Sequence, residues 1–342
     1  MRRLLPLMAI LLCLAWLPAA CAGESESPAD DASSSELASD GEAADAAADA
    51  ADDAAASDAA SDTLPEPDAT LPSLRIGAIP DQDPEILDRL FGDVADYLSA
   101  QLEIPVEYIP VIDYAASVTA FKVGDLDLVW FGGLTGVQAR LQVPGAIAVA
   151  QRDIDAEFRS VFIAGQDVDI EPFDSVDGLT ALAGHSFTFG SESSTSGRLM
   201  PQYFMQEAGL DLADLDGEPG FSGSHDNTLT VVASGSYEVG ALNGQVWDSR
   251  LEEAAPDTAA VKLLFTTPPY YDYHWVLHPA TLERYGADFD ARVLAAFEGI
   301  DGSDATETAI LEAFKAGRFI PTENANYSAI ERVGRKIGLI TD

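Results

Sequence analysis

The sequence predicts an α/β protein of two lobes. Past about residue 72, short apolar runs alternate with segments whose apolar residues recur at helical spacing, which is typical of α/β units around mostly parallel sheets. Roughly 270 residues follow that point, enough for two lobes of ordinary domain size. No internal repeat marks the lobes, so a single larger α/β domain is the alternative that this rhythm leaves open.

The first 20 residues have the composition of an export signal. Two arginines, an apolar run and small residues before a cysteine follow one another: Arg2, Arg3, 4–17 and Pro18-Ala19-Ala20-Cys21. The small residues before Cys21 resemble a bacterial lipobox, in which the cysteine becomes the lipidated first residue of the mature protein. Pro18 stands where an aliphatic residue is usual, so ordinary secretion after cleavage nearby is the alternative. With Cys21 lipidated and Cys13 removed, no thiol remains for a disulfide or for catalysis.

The composition of residues 21–71 predicts a disordered acidic tether. The stretch from Glu24 to Asp68 holds 15 acidic residues and no basic one, and it consists almost wholly of Ala, Ser, Asp, Glu and Gly. Such a segment cannot bury a core, and its self-repelling charge suits a spacer between a membrane surface and a folded body. The whole chain has a formal net charge of −40, which makes nucleic acid and acidic membrane surfaces poor partners.

The elements of the folded part follow from apolar runs and the residues that stop them. Pro84 is placed to open a helix, because proline is tolerated in the first turn, and Gly132 with Gly133 stops the strand before them. In the first part of the chain we expect strands over 74–79, 106–111, 126–131 and 146–150, with helices from 84 onward and over 114–121 and 134–141. In the second part we expect strands over 158–165, 186–189, 238–242 and 262–265, with helices over 198–208 and 226–233.

The end of the chain is predicted to return to the first lobe. A strand over 273–277 precedes a largely helical remainder, with helices over 281–300, 305–314 and 327–338. We therefore assign residues 72–157 and 275–342 to lobe 1. Residues 158–274 form lobe 2 together with the two strands that cross between the lobes.

Ser194, Thr195 and Ser196 are the strongest candidates for a ligand site. They lie between an apolar strand that ends at Phe189 and a helical pattern that begins at Arg198. A helix start leaves several backbone N–H groups without partners and carries partial positive charge, so it favours a bound oxyanion, and each hydroxyl is a further donor. The alternative is a helix cap with spare hydroxyls. In a closed cleft, such local donors can outweigh the distant negative charge of the body, which salt screens.

A second loop of the same kind contains His225 and Asp226. A histidine can donate to an anion, whereas a carboxylate accepts only from an oxyanion that keeps a proton. The alternatives are a surface histidine and a helix cap at Asp226. Tyr114 follows one strand, Phe131 ends another and Asp272 lies at the crossover, and ligands of open α/β sheets bind beyond the carboxyl ends of strands. For Phe131 the alternative is core packing.

Several short segments carry a family resemblance. They are Asp113-Tyr-Ala-Ala-Ser, Val129-Trp-Phe-Gly-Gly, Ser194-Thr-Ser-Gly, Ser224-His-Asp-Asn and Pro269-Tyr-Tyr-Asp. In order, spacing and context they are similar to the phosphate/phosphite/phosphonate substrate-binding proteins of ABC importers, over essentially all of residues 73–340. Within this family, the chain is most similar to a branch often labelled selenate-binding proteins. Four segments carry that likeness: Ala78-Ile-Pro-Asp-Gln, Trp130-Phe-Gly-Gly-Leu-Thr-Gly-Val-Gln-Ala-Arg, Phe187-Thr-Phe-Gly-Ser and Gly220-Phe-Ser-Gly-Ser-His-Asp.

This resemblance implies a type II periplasmic-binding-protein fold, a Venus flytrap whose two lobes close on one oxyanion. The residues that it brings to the ligand site are Tyr114, Phe131, Ser194, Thr195, Ser196, His225, Asp226 and Asp272. The hydroxyls and His225 would donate to ligand oxygens, Asp272 would accept from a protonated one, and Asp226 carries over less securely. Phe131 stands where members that take phosphonates often have a tyrosine, and this difference favours a small inorganic oxyanion over an aminophosphonate.

The resemblance also implies partners and a location. We expect a monomer outside the cytoplasm, held to the membrane by a lipid at Cys21, that delivers its ligand to a permease driven by an ATPase. We expect no cofactor, no metal and no enzyme activity. Selenate or selenite is the alternative ligand for the same role. A carboxylate that faces a fully deprotonated anion would lack a donor, so the site chemistry favours phosphorus oxyanions.

Three other classes of function compete with this one. A hydrolase would use Ser, His and Asp, but the chain contains no Gly-x-Ser-x-Gly elbow. A metal site would use His274 and His278 with Asp272 nearby, but two histidines are fewer than such a site needs, and His278 lies beside Pro279 at the end of the strand. A purely structural lipoprotein would leave the two helix-start loops without a purpose.

Overall fold

Strands and helices alternate along the chain, as the apolar rhythm predicts. A computed structural model describes residues 71–341. The predicted signal peptide, Cys21 and the tether up to residue 70 lie outside the described residues. The described strands, in chain order, are β1 (Leu74–Ala78), β2 (Val106–Tyr108), β3 (Leu128–Phe131), β4 (Ile147–Arg152), β5 (Ser160–Gly165), β6 (Phe187–Phe189), β7 (Gly220–Phe221), β8 (Val239–Asn243), β9 (Val261–Thr266), β10 (His274–Leu277) and β11 (Phe319–Pro321).

Five of the ten described α-helices begin at a side chain that caps them. Asp83 caps the first helix by accepting from Glu85 N at 2.9 Å, and Asp113 caps the second by accepting from Ala116 N at 2.7 Å. The helices are α1 (Pro84–Leu102), α2 (Tyr114–Val123), α3 (Gly133–Gln142), α4 (Met200–Glu207), α5 (His225–Ala233), α6 (Gly244–Glu252), α7 (Ala280–Tyr285), α8 (Phe289–Glu298), α9 (Ala305–Phe314) and α10 (Ser328–Ile337). Short helical turns lie at Asp155–Glu157, Val176–Leu182, Thr195–Leu199, Leu212–Asp214, Pro256–Ala260 and Asn324–Tyr327.

The strands form two mixed sheets. The larger sheet has the order β11-β4-β10-β3-β1-β2, and the smaller sheet has the order β7-β6-β8-β5-β9. In the larger sheet β1 is parallel to β2 and β3, whereas β10 is antiparallel to β3 and β4. In the smaller sheet β6 is parallel to β7 and β8, and β5 is antiparallel to β8 and β9. Most strands run in one direction, as expected: four of the six in the larger sheet and four of the five in the smaller sheet. The exceptions are β10 and β11 in the larger sheet and β5 in the smaller sheet, which run against their neighbours and make both sheets mixed.

The chain passes between the two sheets twice. Strands up to Arg152 and from His274 onward belong to the larger sheet, and those from Ser160 to Thr266 belong to the smaller one. The two connecting segments lie side by side, since Phe158 and Tyr270 exchange backbone hydrogen bonds of 2.9 and 3.0 Å. The described residues fall within one compact unit, because the parts built on the two sheets contact each other.

Buried aromatic rings hold the larger sheet to its helices. The ring centroid of Trp275 on β10 lies 5.4 Å from that of Trp130 on β3 and 4.9 Å from that of Phe297 on α8. Phe91 of α1 meets Trp275 edge-on at 5.9 Å. Burying a large apolar side chain contributes about 1.5–3 kcal/mol, so this cluster fixes β3 and the loop that follows it.

Some elements differ from the prediction. The helix expected over 281–300 is two helices, because Gly286 has a φ of 113°, in the region that favours glycine, and ends α7. Helix α6 was not predicted, although Asn243 caps it by accepting from Gln245 N at 2.7 Å and Val246 N at 3.3 Å. Strand β11 was missed as well, since it has three residues and ends in Pro321.

Candidate functional site

Loops from both sheets meet the second connecting segment. Leu134 N donates to Thr195 Oγ1 at 2.9 Å, and Gly133 N donates to Asp272 Oδ1 at 2.8 Å. Gly133 and Leu134 follow β3 of the larger sheet, Thr195 follows β6 of the smaller sheet, and Asp272 lies between β9 and β10. Ends of strands from the two sheets therefore face each other here, which is where α/β proteins bind ligands.

The Ser194-Thr195-Ser196 run is buried at this meeting point. Ser194 caps the helical segment by accepting from Gly197 N at 2.9 Å, and the first turn, Thr195–Leu199, is a π-helix that continues into α4. All three side chains are at most 2% exposed. Ser160 Oγ donates to the carbonyl oxygen of Ser196 at 2.7 Å and fixes this part of the backbone. The predicted hydroxyl loop is thus a buried helix start with a hydrogen-bonded backbone.

Gly197 allows this loop to lie against the start of α5. A Cβ atom at Gly197 would lie 3.0 Å from Ser194 Oγ, 3.1 Å from His225 Cε1 and 3.2 Å from Gly190 Cα. Gly190 N also donates to the carbonyl oxygen of Gly197 at 2.9 Å. The two helix starts that the sequence singled out are therefore in direct contact, and a Cβ at Gly197 would crowd that contact.

Asp272 presents one oxygen without a partner. Its side chain is 1% exposed; Oδ1 accepts from Gly133 N, whereas Oδ2 has no hydrogen-bond partner. Burial raises the pKa of Asp272 to about 7, and the hydrogen bond from Gly133 N partly opposes this rise. A buried unpaired acceptor costs about 1–3 kcal/mol. A ligand that donates a proton to Oδ2 would recover that free energy.

Tyr114 presents a donor without a partner. Asp113 caps α2 and so places Tyr114 at its first residue, where the ring is buried and the hydroxyl oxygen has no hydrogen-bond partner. Burial raises the pKa of Tyr114 well above its usual value, and the charge of Asp81 adds to the rise. Ser194 lies close enough to oppose the rise, without a well-formed hydrogen bond. The hydroxyl therefore stays protonated and can donate to a ligand.

Phe131 lies in the core. It ends β3, is fully buried, and meets the ring of Phe121 edge-on with centroids 5.7 Å apart. Trp130 beside it stacks on Tyr273 at 5.5 Å. These contacts agree with the packing alternative for Phe131, and its ligand contact stays a prediction.

His225 has both ring nitrogens next to protein groups. Asn243 N donates to Nδ1 at 3.3 Å, so the ring hydrogen belongs to Nε2, which lies 3.4 Å from Tyr273 Oη. Burial lowers the pKa of His225 to about 3, so the ring is neutral at ordinary pH. The structure brings His225 against the Ser-Thr-Ser loop, and its role as a ligand donor stays a prediction.

Asp226 faces a loop of the larger sheet. Its Oδ2 accepts from Asp83 N at 3.1 Å, and burial raises its pKa while Arg250 opposes that rise. Ser224, which accepts from Asn227 N at 3.3 Å, is the cap of α5. The expectation that Asp226 caps the helix was wrong, because the helix begins one residue earlier than predicted.

His274, which a metal site would use, already has a protein partner at each ring nitrogen. Arg140 Nη1 donates to His274 Nε2 at 2.7 Å, which leaves Nδ1 to donate to the carbonyl oxygen of Asp272 at 3.0 Å. The ring also stacks on Tyr327 with centroids 3.7 Å apart. Within residues 71–341, no group of three or more His, Cys, Asp or Glu side chains is placed to hold a metal ion.

The sequence reasoning missed three polar residues beside His225. Tyr273 Oη donates to Asp81 Oδ2 at 2.7 Å, and Asn243 Nδ2 donates to Tyr273 Oη at 3.2 Å. Asp81 lies just beyond β1 and Asn243 ends β8, so both occupy carboxyl ends of strands. The positional signal that singled out Tyr114 could therefore have found them.

Comparison with known proteins decides the family. The family model described as ABC transporter, phosphonate, periplasmic substrate-binding protein matches residues 76–327. The chain belongs to this family. It is therefore a substrate-binding protein of an ABC transporter and not an enzyme. Membership places it outside the cytoplasm and implies a permease and an ATPase as partners.

One relative, the structure of that relative and one more distant structure support the assignment. The chain is 47% identical over 268 residues to the "Probable ABC transporter phosphite binding protein PhnD1" of Prochlorococcus marinus, covering 78% of this chain and 90% of the relative. The structure of PhnD1 from that organism in complex with methylphosphonate matches with a TM-score of 0.77 and 46% identity, over 78% of this chain and 99% of that one. A binding protein component of an ABC phosphonate transporter from Pseudomonas aeruginosa matches with a TM-score of 0.66 and 20% identity, over 77% of this chain and 85% of that one.

These likenesses confirm the type II binding-protein fold, with two α/β lobes and two crossover segments, for this family member. The Pseudomonas structure supports the fold alone. No helix among the described residues is long and apolar enough to cross a membrane.

Proposed function

We propose that this binding protein captures a small tetrahedral phosphorus oxyanion, such as phosphite, methylphosphonate or phosphate, between its two lobes. The observation that carries the proposal is a buried site with an unpaired donor, the Tyr114 hydroxyl, and an unpaired acceptor, Asp272 Oδ2. The hydroxyls of Ser194, Thr195 and Ser196 supply further donors at a helix start. Several donors beside one acceptor match an anion that has several acceptor oxygens and one proton to donate.

Whether the ligand keeps a proton decides which oxyanions this site favours. Phosphorus oxyanions retain or readily regain a proton near neutral pH, whereas sulfate and selenate carry none there. The oxygen of a fully deprotonated anion would face Asp272 Oδ2 without a hydrogen between them, and the penalty is several kcal/mol if the carboxyl is ionised. Selenate is therefore the less favoured ligand for the same role.

Closure of the two lobes is the capture step that we infer. Lobe 1 would comprise residues 72–157 and 275–342, and lobe 2 with the crossover segments would comprise 158–274, in agreement with the membership of the two sheets. The hydrogen bonds from Gly133 and Leu134 to Asp272 and Thr195 join these parts. Closure would exclude water and so strengthen each charge-assisted hydrogen bond to the ligand.

We also infer that the protein acts as a monomer on a lipid anchor. Cys21, after its short run of small residues, supports lipidation, and the acidic stretch behind it suits a tether. Incorporation of labelled fatty acid into the wild-type chain, and its loss in Cys21→Ala, would check the anchor.

The test is isothermal titration calorimetry of the full chain with phosphite, methylphosphonate, phosphate, selenate and sulfate at pH 6 and pH 8. The complex holds one proton between Asp272 and a ligand oxygen, and the pKa of this carboxyl is about 7. The carboxyl is mostly protonated at pH 6 and mostly ionised at pH 8, where the proton must be taken up on binding, so the affinity for phosphite should fall about tenfold between pH 6 and pH 8. Tight selenate binding that does not change with pH would contradict the proposal.

Asp272→Asn sharpens the test. The amide oxygen can still accept from Gly133 N, but the amide nitrogen would replace the unpaired acceptor by a donor. We expect phosphite to bind about 100-fold more weakly at pH 6, with little pH dependence left, and selenate to bind relatively better. Asp153→Asn is the matched control, because Asp153 Oδ1 accepts from Gly317 N at 3.2 Å away from the proposed ligand.

A further inference from the structure

A chain of side-chain hydrogen bonds runs beside the proposed ligand site. Tyr273 Oη donates to Asp81 Oδ2 at 2.7 Å, and Asn243 Nδ2 donates to Tyr273 Oη at 3.2 Å. His225 Nε2 lies 3.4 Å from the same hydroxyl oxygen, and His225 N donates to the carbonyl oxygen of Asp81 at 3.0 Å. We call Asp81, His225, Asn243 and Tyr273 the latch.

Donors and acceptors in the latch are matched. Tyr273 has one hydroxyl hydrogen, which goes to Asp81, so its oxygen accepts from Asn243 and from His225 Nε2. His225 Nδ1 accepts from Asn243 N, which fixes the tautomer with a hydrogen on Nε2. All four side chains are at most 3% exposed. A buried network with every member satisfied specifies one arrangement of its parts.

The latch joins the two sheets. Asp81 follows β1 of the larger sheet, Asn243 ends β8 of the smaller sheet, His225 begins α5 behind the smaller sheet, and Tyr273 lies in the second connecting segment. A second contact runs in parallel, in which Asp83 N donates to Asp226 Oδ2. Separation of the two lobes would break the bonds from Asp81 and Asp83 to the start of α5.

We propose that the latch holds the closed form and sets the rate at which the ligand is released. Asp81 is its positioning residue and acts through Tyr273 and His225 without touching the ligand. The inference rests on the proposed function for the closure of the two lobes and for the identity of the ligand. It predicts a role for Asp81, Asn243 and Tyr273, which lie outside the residues predicted to contact the oxyanion, and a second role for His225.

The physical basis is the buried carboxyl of Asp81. Burial raises its pKa to about 6, and the hydrogen bond from Tyr273 is the largest effect that opposes this rise. At neutral pH the ionised carboxylate therefore depends on that donor while it is buried. In an open form, water would solvate Asp81 instead, so loss of the Tyr273 hydroxyl penalises the closed form alone.

Tyr273→Phe is the variant that tests the latch. It keeps the ring that stacks on Trp130 and removes only the donor. In stopped-flow displacement of methylphosphonate from the full chain, we expect release about tenfold faster and association changed less than about threefold, because interface changes act mainly on dissociation.

Amide hydrogen exchange tests the latch without relying on the ligand. The N–H groups of His225 and Asp83 are bonded across the lobes, so they should exchange faster in Tyr273→Phe than in wild type, in the free protein or with methylphosphonate. Tyr97→Phe is the matched control, since Tyr97 Oη donates to the carbonyl oxygen of Ala296 at 2.9 Å within the larger-sheet lobe. It should lower stability and leave both readouts unchanged.

The outcomes separate the two proposals. Equal exchange at His225 and Asp83 in wild type and Tyr273→Phe, with and without methylphosphonate, would overturn the latch. A difference in exchange in a protein that binds none of the phosphorus oxyanions would support the latch and refute the proposed ligand. If Tyr97→Phe also releases the ligand faster, the effect of Tyr273→Phe comes from a general loss of stability, and the latch is rejected.

Discussion

The starts of α4 and α5 lie against each other, and they use their side chains in opposite ways. At the Ser194-Thr195-Ser196 run, the Ser194 hydroxyl lies close to Tyr114 and the Thr195 hydroxyl lies close to Asp272, each of which has an unpaired oxygen atom. At the start of α5, the side chains of His225 and Asp226 are engaged with residues of the protein. The first helix start adjoins polar atoms that remain free for a ligand, although Thr195 also accepts from Leu134 N across the lobes. The side chains at the second start have protein partners and help to join the lobes.

This difference shows what a helix start can and cannot predict. Both loops combine free backbone N–H groups, positive dipole ends and polar side chains, so the same physical argument applies to each. Tertiary contacts decide which groups remain free. His225 is the clearest case, because burial beside Asn243 and Tyr273 leaves a neutral ring whose nitrogens already face partners.

Gly197→Ala should have the largest effect on ligand binding, because it adds a side-chain atom where the two helix starts touch. The new Cβ would lie within 3.2 Å of Ser194 Oγ, His225 Cε1 and Gly190 Cα, so the loops must move apart. Overpacking of this kind costs about 1–3 kcal/mol, and we expect the affinity for phosphite to fall about 100-fold. Calorimetric titration measures the affinity, and thermal unfolding measures the accompanying loss of stability.

Gly92→Ala is the matched control. A Cβ at Gly92, within α1, would have no atom within 4 Å outside its own helix. Unchanged ligand affinity and a gain in stability of about 0.5–1 kcal/mol are expected there. Wild-type binding by Gly197→Ala would show that the two helix starts do not need to touch.

Ser196→Ala probes the first helix start alone. The bond from Ser160 Oγ reaches the carbonyl oxygen of Ser196, so the backbone keeps its anchor when the hydroxyl is removed. Loss of one donor to a charged ligand should weaken phosphite binding by about 1–2 kcal/mol, or about tenfold, with little change in stability. Ser234→Ala, at the far end of α5, is the control. If Ser196→Ala binds as wild type does, the hydroxyl does not contact the ligand.

The fold could be predicted from the sequence to the extent that local rules decide it. The caps at Asp83 and Asp113 and the glycines after β3 locate α1, α2 and the end of β3 within a few residues. Which strands run against their neighbours could not be predicted, because apolar strands in parallel and antiparallel pairs look alike in one chain. Gly286 also broke a continuous helical pattern through its backbone conformation.

The candidate site was predictable only in part, for a related reason. Residues that follow a strand or open a helix stand out singly, and Tyr114 and Thr195 were found in this way. The latch joins Asp81 to Tyr273, which are 192 residues apart, and neither has a neighbour in sequence that reveals the bond. The free Oδ2 of Asp272 is likewise a property of packing and of the partner taken by Oδ1.

Asp226→Asn should have the smallest effect, and it tests whether the second helix start stays out of the ligand site. The amide oxygen can still accept from Asp83 N, so phosphite affinity should change less than about threefold. Burial raises the pKa of Asp226, which disfavours the charged form in the folded protein, so any gain in stability from the neutral amide should be larger at pH 8 than at pH 5. Thermal unfolding at both pH values measures this gain, with the exposed Asp216→Asn as control. A loss of affinity above about tenfold that depends on pH would instead show Asp226 in contact with the ligand proton, and the two helix starts would then share one role.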